Sequence, residues 1–400
     1  HTTGYDWNAN GWLTHIRQAN GQKVSYSYDA AGRITQHQEH DAQGALQKTA
    51  TYTYDEAGNL LGWSDGTYSA QRTYDDAERL TKETITYGTG QGSFTLSHAY
   101  TYHGNGQIKT YKGPDGVTIS YEFDGAAQLE RVEIPGEGTM AVTEWQWFQP
   151  KKILLLGGSE QRLEYDGYQS LTQLKVVNPS QAAVFELKNQ YGKLADIQNT
   201  RIDGNELAYT HDDAGRLTQV NAGLLSTRSE TFSLDANGNR LTHSQTGSTP
   251  WQYDAAGRLT QRPSTGGGGT VSYRYDASGN LIEKTDTSRP EPQRTTRYGW
   301  DAFNRLQEAR DGAGALIARY SYDPFDRRIR KELGGSATLQ ENTRHSAAHY
   351  LHTEWGLLAE ADASGQLTTT YGWHPQKDNS VAPLYARTPD AAHPGQWRTV

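Results

Sequence analysis

An eight-residue pattern recurs along the chain and limits what it can fold into. Tyr28-Asp29-Ala30-Ala31-Gly32-Arg33-Ile34-Thr35 reappears as Tyr253-Asp254-Ala255-Ala256-Gly257-Arg258-Leu259-Thr260. Close copies begin at Tyr54-Asp55, Tyr74-Asp75, His211-Asp212 and Tyr275-Asp276. Weaker ones begin at Trp7-Asn8, Tyr102-His103, Phe123-Asp124, Tyr165-Asp166, Leu234-Asp235, Trp300-Asp301 and Tyr322-Asp323. Trp147-Phe148, Lys188-Asn189 and a site near His352 complete about sixteen units of roughly 23 residues, a spacing typical of repeat architectures. Each unit cannot bury an apolar face alone, so stability must come from stacking neighbours.

The pattern has a local physical reading. Aromatics alternate before the Asp, as in Tyr26-Ser27-Tyr28, Tyr52-Thr53-Tyr54 and Tyr273-Arg274-Tyr275, and period two places both rings on one strand face. The Asp ends the strand by accepting a backbone N–H two residues on. The Gly three residues later (Gly32, Gly58, Gly257, Gly279) is expected in the left-handed region, where it carries no steric penalty. The other half of each unit often holds a second turn signal, such as Asn20-Gly21, Asp115-Gly116, Asp203-Gly204 or Asp311-Gly312. Each unit therefore reads as strand, turn, strand, turn. The fold class is all-β, with tandem antiparallel hairpins and no convincing amphipathic helix. Residues 1–400 read as a single array whose structural signature residues are Tyr28, Asp29, Gly32, Tyr54, Asp55, Gly58, Tyr253, Asp254, Gly257, Tyr275, Asp276 and Gly279. About 32 strands at roughly 4.8 Å each make a ribbon about 150 Å long, which must coil and curve around a space.

Composition agrees. Apolar residues are only 34%, which on its own could indicate disorder, but the chain carries 25 Tyr, 10 Trp and 7 Phe and a net charge of just −8. Without Cys there are no disulfides, thiolate nucleophiles or Cys-ligated metals. The acidic balance argues against nucleic acid as a partner, and no apolar run is long enough to span a bilayer. The chain begins at His1 and ends at Val400 within the pattern, and it reads as an internal piece of a longer protein. Such a piece, made alone, is expected to be an open β-strip that self-associates through unpaired strand edges.

The Tyr-Asp-x-x-Gly-Arg/Asn-Leu-Thr pattern resembles the YD repeat of RHS proteins, from about Trp7 to Tyr371. The stretch from Leu357 to Leu367 is similar to the one leading into that family's constant core. The resemblance implies a spiralling strip of hairpins, part of a hollow β-shell like that of the C component of insecticidal Tc toxin complexes. Such shells enclose a variable C-terminal toxin domain. Several bacterial members are type VI secretion effectors used in competition between bacteria, and teneurins carry a related shell. The expected function is a structural shell segment, without enzymatic activity or cofactor, of a protein made in the cytoplasm and secreted or injected from a bacterium. Expected partners are its own toxin domain, flanking shell segments and secretion-spike proteins. The alternative reading is a carbohydrate-binding or adhesion module at a cell surface. The family's core motif that closes the shell is absent here, so Asp323-Pro324 takes no protease role.

The remaining chemical motifs read as structural. His345, His349 and His352 have no Glu after the first His, where Ser346 stands, as a zincin would need. Gly266–Gly269 is not followed by the Lys-Ser/Thr of a phosphate loop, and Gly88-Thr89-Gly90-Gln91-Gly92 lacks dinucleotide spacing; both read as connections. Arg327-Arg328-Ile329-Arg330-Lys331 splits over two strand faces and reads as solvated. Lys151-Lys152-Ile153-Leu154-Leu155-Leu156-Gly157-Gly158 is expected to be unusually buried.

Overall fold

The computed structural model describes residues 2–223, 229–265, 268–334, 347–353, 356–375, 383–390, 393 and 396–399. Among them the regular structure is β-strand, apart from one 3-10 turn at Leu156–Gly158. The chain forms two compact units. The first comprises His1–Thr118, Tyr273–Thr285 and Arg289–Val400, and the second Ile119–Ser272 and Asp286–Ser288.

Strands pair antiparallel with their sequence neighbours. In the first unit this runs from Gly4–Trp7 with Leu13–Arg17 to Phe94–Tyr102 with Ile108–Lys112, and again from Thr295–Trp300 to Trp397–Thr399. In the second it includes Leu129–Ile134 with Gly138–Gln146, and Glu160–Tyr165 with Leu171–Val177. The signature residues cause the register. At each YD hairpin the partner index slips by one at the Tyr, which then opposes the Leu or Ile of its own repeat. Examples are Tyr28 with Ile34, Tyr54 with Leu60 and Tyr253 with Leu259. Such a bulge bends and twists the strand.

One turn geometry serves both ends of the hairpins. The first residue's N–H donates to the carbonyl four residues on, and the fourth residue's N–H donates back to the first residue's carbonyl. It recurs from Asn8–Trp12 to Asp362–Gln366. Asn20-Gly21 and Asp115-Gly116 lie inside this turn rather than in two-residue loops. At Asp311-Gly312 the left-handed residue is Gly314, not Gly312. Asp203-Gly204 does form a two-residue loop, with φ of +48° and +84°.

The fourth turn residue is left-handed whatever its side chain. Gly32, Gly58, Gly257 and Gly279 have φ of +82°, +98°, +74° and +93°. Glu78, Ala127, Gln169 and Asn304 hold the same place at +61°, +63°, +66° and +60°. A Cβ there is penalised by about 1–2 kcal/mol, partly offset because glycine loses more freedom on folding. Glu78→Gly is therefore expected to stabilise the chain by roughly 0.5–1 kcal/mol, read from the urea midpoint at unchanged slope.

The first unit has a buried interior. Val24, Ala50, Ile85, Tyr87, Leu351 and Ala359 are essentially inaccessible. They lie in residues 1–118 and 289–400, which pack on each other. The Lys151–Gly158 run corrects an expectation. Its strand, Gln149–Leu154, is half-buried throughout, and Gly157 and Gly158 are exposed in the 3-10 turn. The backbone turns out of the strand after Leu154, with Gly157 and Gly158 left-handed, so the aliphatic run never lies in one buried strand.

Candidate functional site

The repeat turn is where the signature residues converge, and the Asp and Arg or Asn side chains in it have defined partners. In the first full copy, Asp29 Oδ1 accepts from the N–H groups of Ala31 and Arg33, at 2.9 Å each. Its Oδ2 accepts from Arg33 Nε at 2.7 Å. The Arg33 backbone N–H and then its side chain hold the Asp29 carboxyl below the ordinary carboxylate range. Asp254 repeats this with Ala256 and Arg258. Where Asn replaces Arg, its amide takes the same carboxylate oxygen, as Asn59 does on Asp55 and Asn280 on Asp276.

Two further kinds of bond tie repeats to their neighbours. Arg33 Nη1 donates to the Asp55 carbonyl of the following turn at 2.7 Å, and Arg216 donates to Asp235 at 2.8 Å. In the other direction, the signature hydroxyl reaches back one repeat to the carbonyl of the Leu or Ile. Tyr28 donates to Leu13, Tyr54 to Ile34 and Tyr102 to Leu80, at 2.6–2.9 Å. Trp300 Nε1 and Trp373 Nε1 do the same to Leu281 and Leu357. His352 Nε2 lies 2.9 Å from the Arg328 carbonyl. The Thr closes its own hairpin, Thr260 Oγ1 donating to the Gln252 carbonyl. Every consensus position thus either shapes a turn or joins two neighbours.

The repeat aspartates are therefore committed to turns rather than poised for acid–base work. Asp29, Asp75, Asp212 and Asp254 all titrate below the ordinary value, chiefly through backbone and side-chain hydrogen bonds from the Arg four residues on. A depressed folded-state pKa contributes stability that is complete above the unfolded pKa and is lost as pH falls through the folded one. The melting temperature is thus expected to hold from pH 7 to 5 and fall steeply below about pH 4; a flat profile to pH 3 would contradict the capping role.

Other candidate chemistry resolves into packing. His349 Nδ1 lies 3.1 Å from the Asp362 carbonyl, so with His352 it is engaged with backbone; His345 lies outside the described residues. No group of three potential metal ligands occurs among the described residues. Gly266 and Gly267 also lie outside them, while Gly88, Gly90 and Gly92 are left-handed loop residues. In the basic run, Arg327 caps Asp323 and Ile329 is buried. A cleft of about 890 Å³ in the first unit is lined by Arg72, Glu83, His98, Tyr100 and Arg327. There burial, then Arg72 and Arg327, push His98 down to about 3, so its ring is neutral beside Glu83.

What sequence reasoning missed is the mutual packing within the first unit. Arg305, one-tenth exposed, bonds Asp301 at 2.7 Å, Asp326 at 2.9 Å and Glu39 at 3.2 Å. Tyr87 donates to the Tyr350 carbonyl at 2.9 Å, Gln22 to the Trp300 carbonyl, and Arg387 pairs with the buried Asp115. Phe303 meets His37 edge-on, and Phe325 meets Tyr52 and Trp63.

The family model for the teneurin YD-shell matches residues 44–149 and 145–340, and that for the RHS repeat matches residues 7–46. The chain belongs to the YD-shell family. Among curated members of the wider RHS group it is similar to two proteins of Dickeya dadantii. It is 25% identical over 305 residues to the probable deoxyribonuclease RhsB, covering 71% of this chain and 18% of that protein. To the probable deoxyribonuclease RhsA it is 25% identical over 291 residues, covering 67% and 17%. The chain thus spans less than a fifth of these relatives' length. The YD-shell fold also matches solved structures. TcdB2-TccC3 without its hypervariable C-terminal region aligns with 93% of this chain and 24% of its own, with a TM-score of 0.52 and 13% identity. The Photorhabdus luminescens Tc holotoxin pore aligns with 97% and 25%, again at 0.52 and 13%.

Proposed function

We propose that this chain is a stretch of wall in an RHS-type shell that encloses a toxin domain for delivery out of the producing bacterium. The observation that carries this reading is the two-way tie between repeats, Tyr hydroxyl backward and Arg guanidinium forward. A wall needs lateral continuity along the strip, and these residues supply it in copy after copy, with the turn aspartates Asp29, Asp75, Asp212 and Asp254 held by their own turns. The deoxyribonuclease activity named for the Dickeya relatives is placed, in this reading, in a part of those proteins beyond the matched stretch.

Limited proteolysis of the full encoded polypeptide tests it. The expected result is a domain outside residues 1–400 that resists protease while the shell is intact and is digested rapidly in an Arg305→Ala variant. Equal digestion in both proteins, at the rate of an unenclosed domain, would contradict the reading.

A further inference from the structure

The third turn position, two residues after the first, is small in most repeats, for example Ala31, Ala57, Ala77, Ala214 and Ala256. It is large and apolar at Phe303 and Phe325 in the first unit, and at Tyr168 and Leu194 in the second. The first pair shows what a large residue does there. Phe303 projects from its turn onto His37, with ring centroids 5.3 Å apart, and Phe325 onto Tyr52 and Trp63, both at 6.4 Å. These receiving residues belong to strands Ile34–His40, Leu46–Tyr54 and Leu60–Ser64 of another part of the ribbon. A large residue at this position is thus a knob for the aromatic strand face of a YD ribbon.

Tyr168 and Leu194 have the same position without such a face. Tyr168 is 92% exposed and Leu194 77%. The preceding hairpin adds Trp147 and Phe148, 78% and 82% exposed. Trp147 is also left-handed at φ +58°, a conformation that is costly for a bulky side chain and gains nothing from packing here. Folding gives no reason for these residues. The Tyr168 N–H caps on Asp166 as any residue's would, and the Trp147 carbonyl accepts from Gln128. The three hairpins are consecutive, so their tips form a row at about 10 Å intervals, the spacing of two strands. Exposed apolar rows of this kind mark interaction sites.

We infer that Trp147, Phe148, Tyr168 and Leu194 dock onto the aromatic strand face of further YD repeats of the same polypeptide. The inference rests on the shell reading above. The occupant follows from two facts: Phe303 and Phe325 use a face of this type, and more than four-fifths of the Dickeya relatives' length lies outside the matched stretch. The docked row would join one course of the wall to the next, as Tyr and Arg join repeats along a course.

The test places the photocrosslinking residue p-benzoylphenylalanine at Tyr168, and separately at Leu194, in the full encoded polypeptide. Both positions are turn tips, so the folded state is expected to persist, checked by an unchanged melting temperature. After irradiation, peptide mapping should find an intramolecular crosslink to a Tyr-, Trp- or His-bearing strand of a YD repeat outside residues 1–400. Crosslinks between two copies, to lipid or to a segment without repeats, or no crosslink at either position, would overturn the inference. Protease protection of the enclosed domain, measured on the same samples, reports on the shell reading separately. Protection without the crosslink sinks the docking row alone.

Discussion

Replacing Arg305 by alanine is expected to destabilise the chain by about 3–5 kcal/mol, the usual loss when one partner of a buried ion pair is removed. Three carboxylates converge on this guanidinium, and Glu39 and Asp301 are almost inaccessible. Their present titration shows how much they rely on it. Burial pushes Asp301 above the ordinary carboxylate range even with Arg305 beside it. At Glu39 the upward push of burial is outweighed by His37, Arg305 and Lys48, leaving it lowered. Without Arg305 the Asp301 carboxyl is raised further in the folded state, which then binds more protons at this group than the unfolded chain does. Stability of the variant should accordingly recover as pH falls from 7 toward 5. Urea unfolding at the two pH values checks both parts. A deficit below about 1 kcal/mol at pH 7 would place the cluster among weak surface pairs.

The second large effect is at Tyr87. Its ring is buried, stacked on Phe94 with centroids 4.9 Å apart and met edge-on by His349 at 5.4 Å. Its hydroxyl donates to the Tyr350 carbonyl. Tyr87→Ala removes the packing and leaves a cavity, at an expected cost of about 3–5 kcal/mol by analogy with buried Phe and Trp. Tyr87→Phe keeps the ring and leaves only the carbonyl without its donor, costing roughly 1–2 kcal/mol. Denaturant melts of the two variants separate ring packing from the bond. Equal losses would mean that the hydroxyl, not the ring, holds residues 1–118 against 289–400.

Much of the repeat was legible because its causes are local. An Asp that caps N–H groups two and four residues away, and a left-handed residue three positions on, act within five residues. Asp29, Gly32, Asp254 and Gly257 therefore announce the turn in the sequence. The ties between repeats are different. Tyr54 reaches Ile34, and Arg33 reaches the Asp55 carbonyl, only because the bulged register sets them side by side. Sequence shows the residue types but not that register. With the register known, the weak copies at Trp300 and His352 make sense: each keeps a ring nitrogen where Tyr has its hydroxyl, as Trp373 also does. Packing within the first unit was not legible, since Tyr52 and Trp63 read the same whether they face solvent or Phe325. The Lys151–Gly158 run misled for a related reason. Aliphatic density signals burial only when the run stays in one strand with both faces covered, and this one turns out of the strand after Leu154.

Single-particle cryo-electron microscopy of the full encoded polypeptide shows whether these repeats form part of a wall around a domain. The expected map is a hollow shell whose wall contains the hairpins of residues 7–371, with density for a further domain inside the chamber. Hairpins in an extended, open ribbon, with the remaining domain outside and solvent on both strand faces, would contradict it.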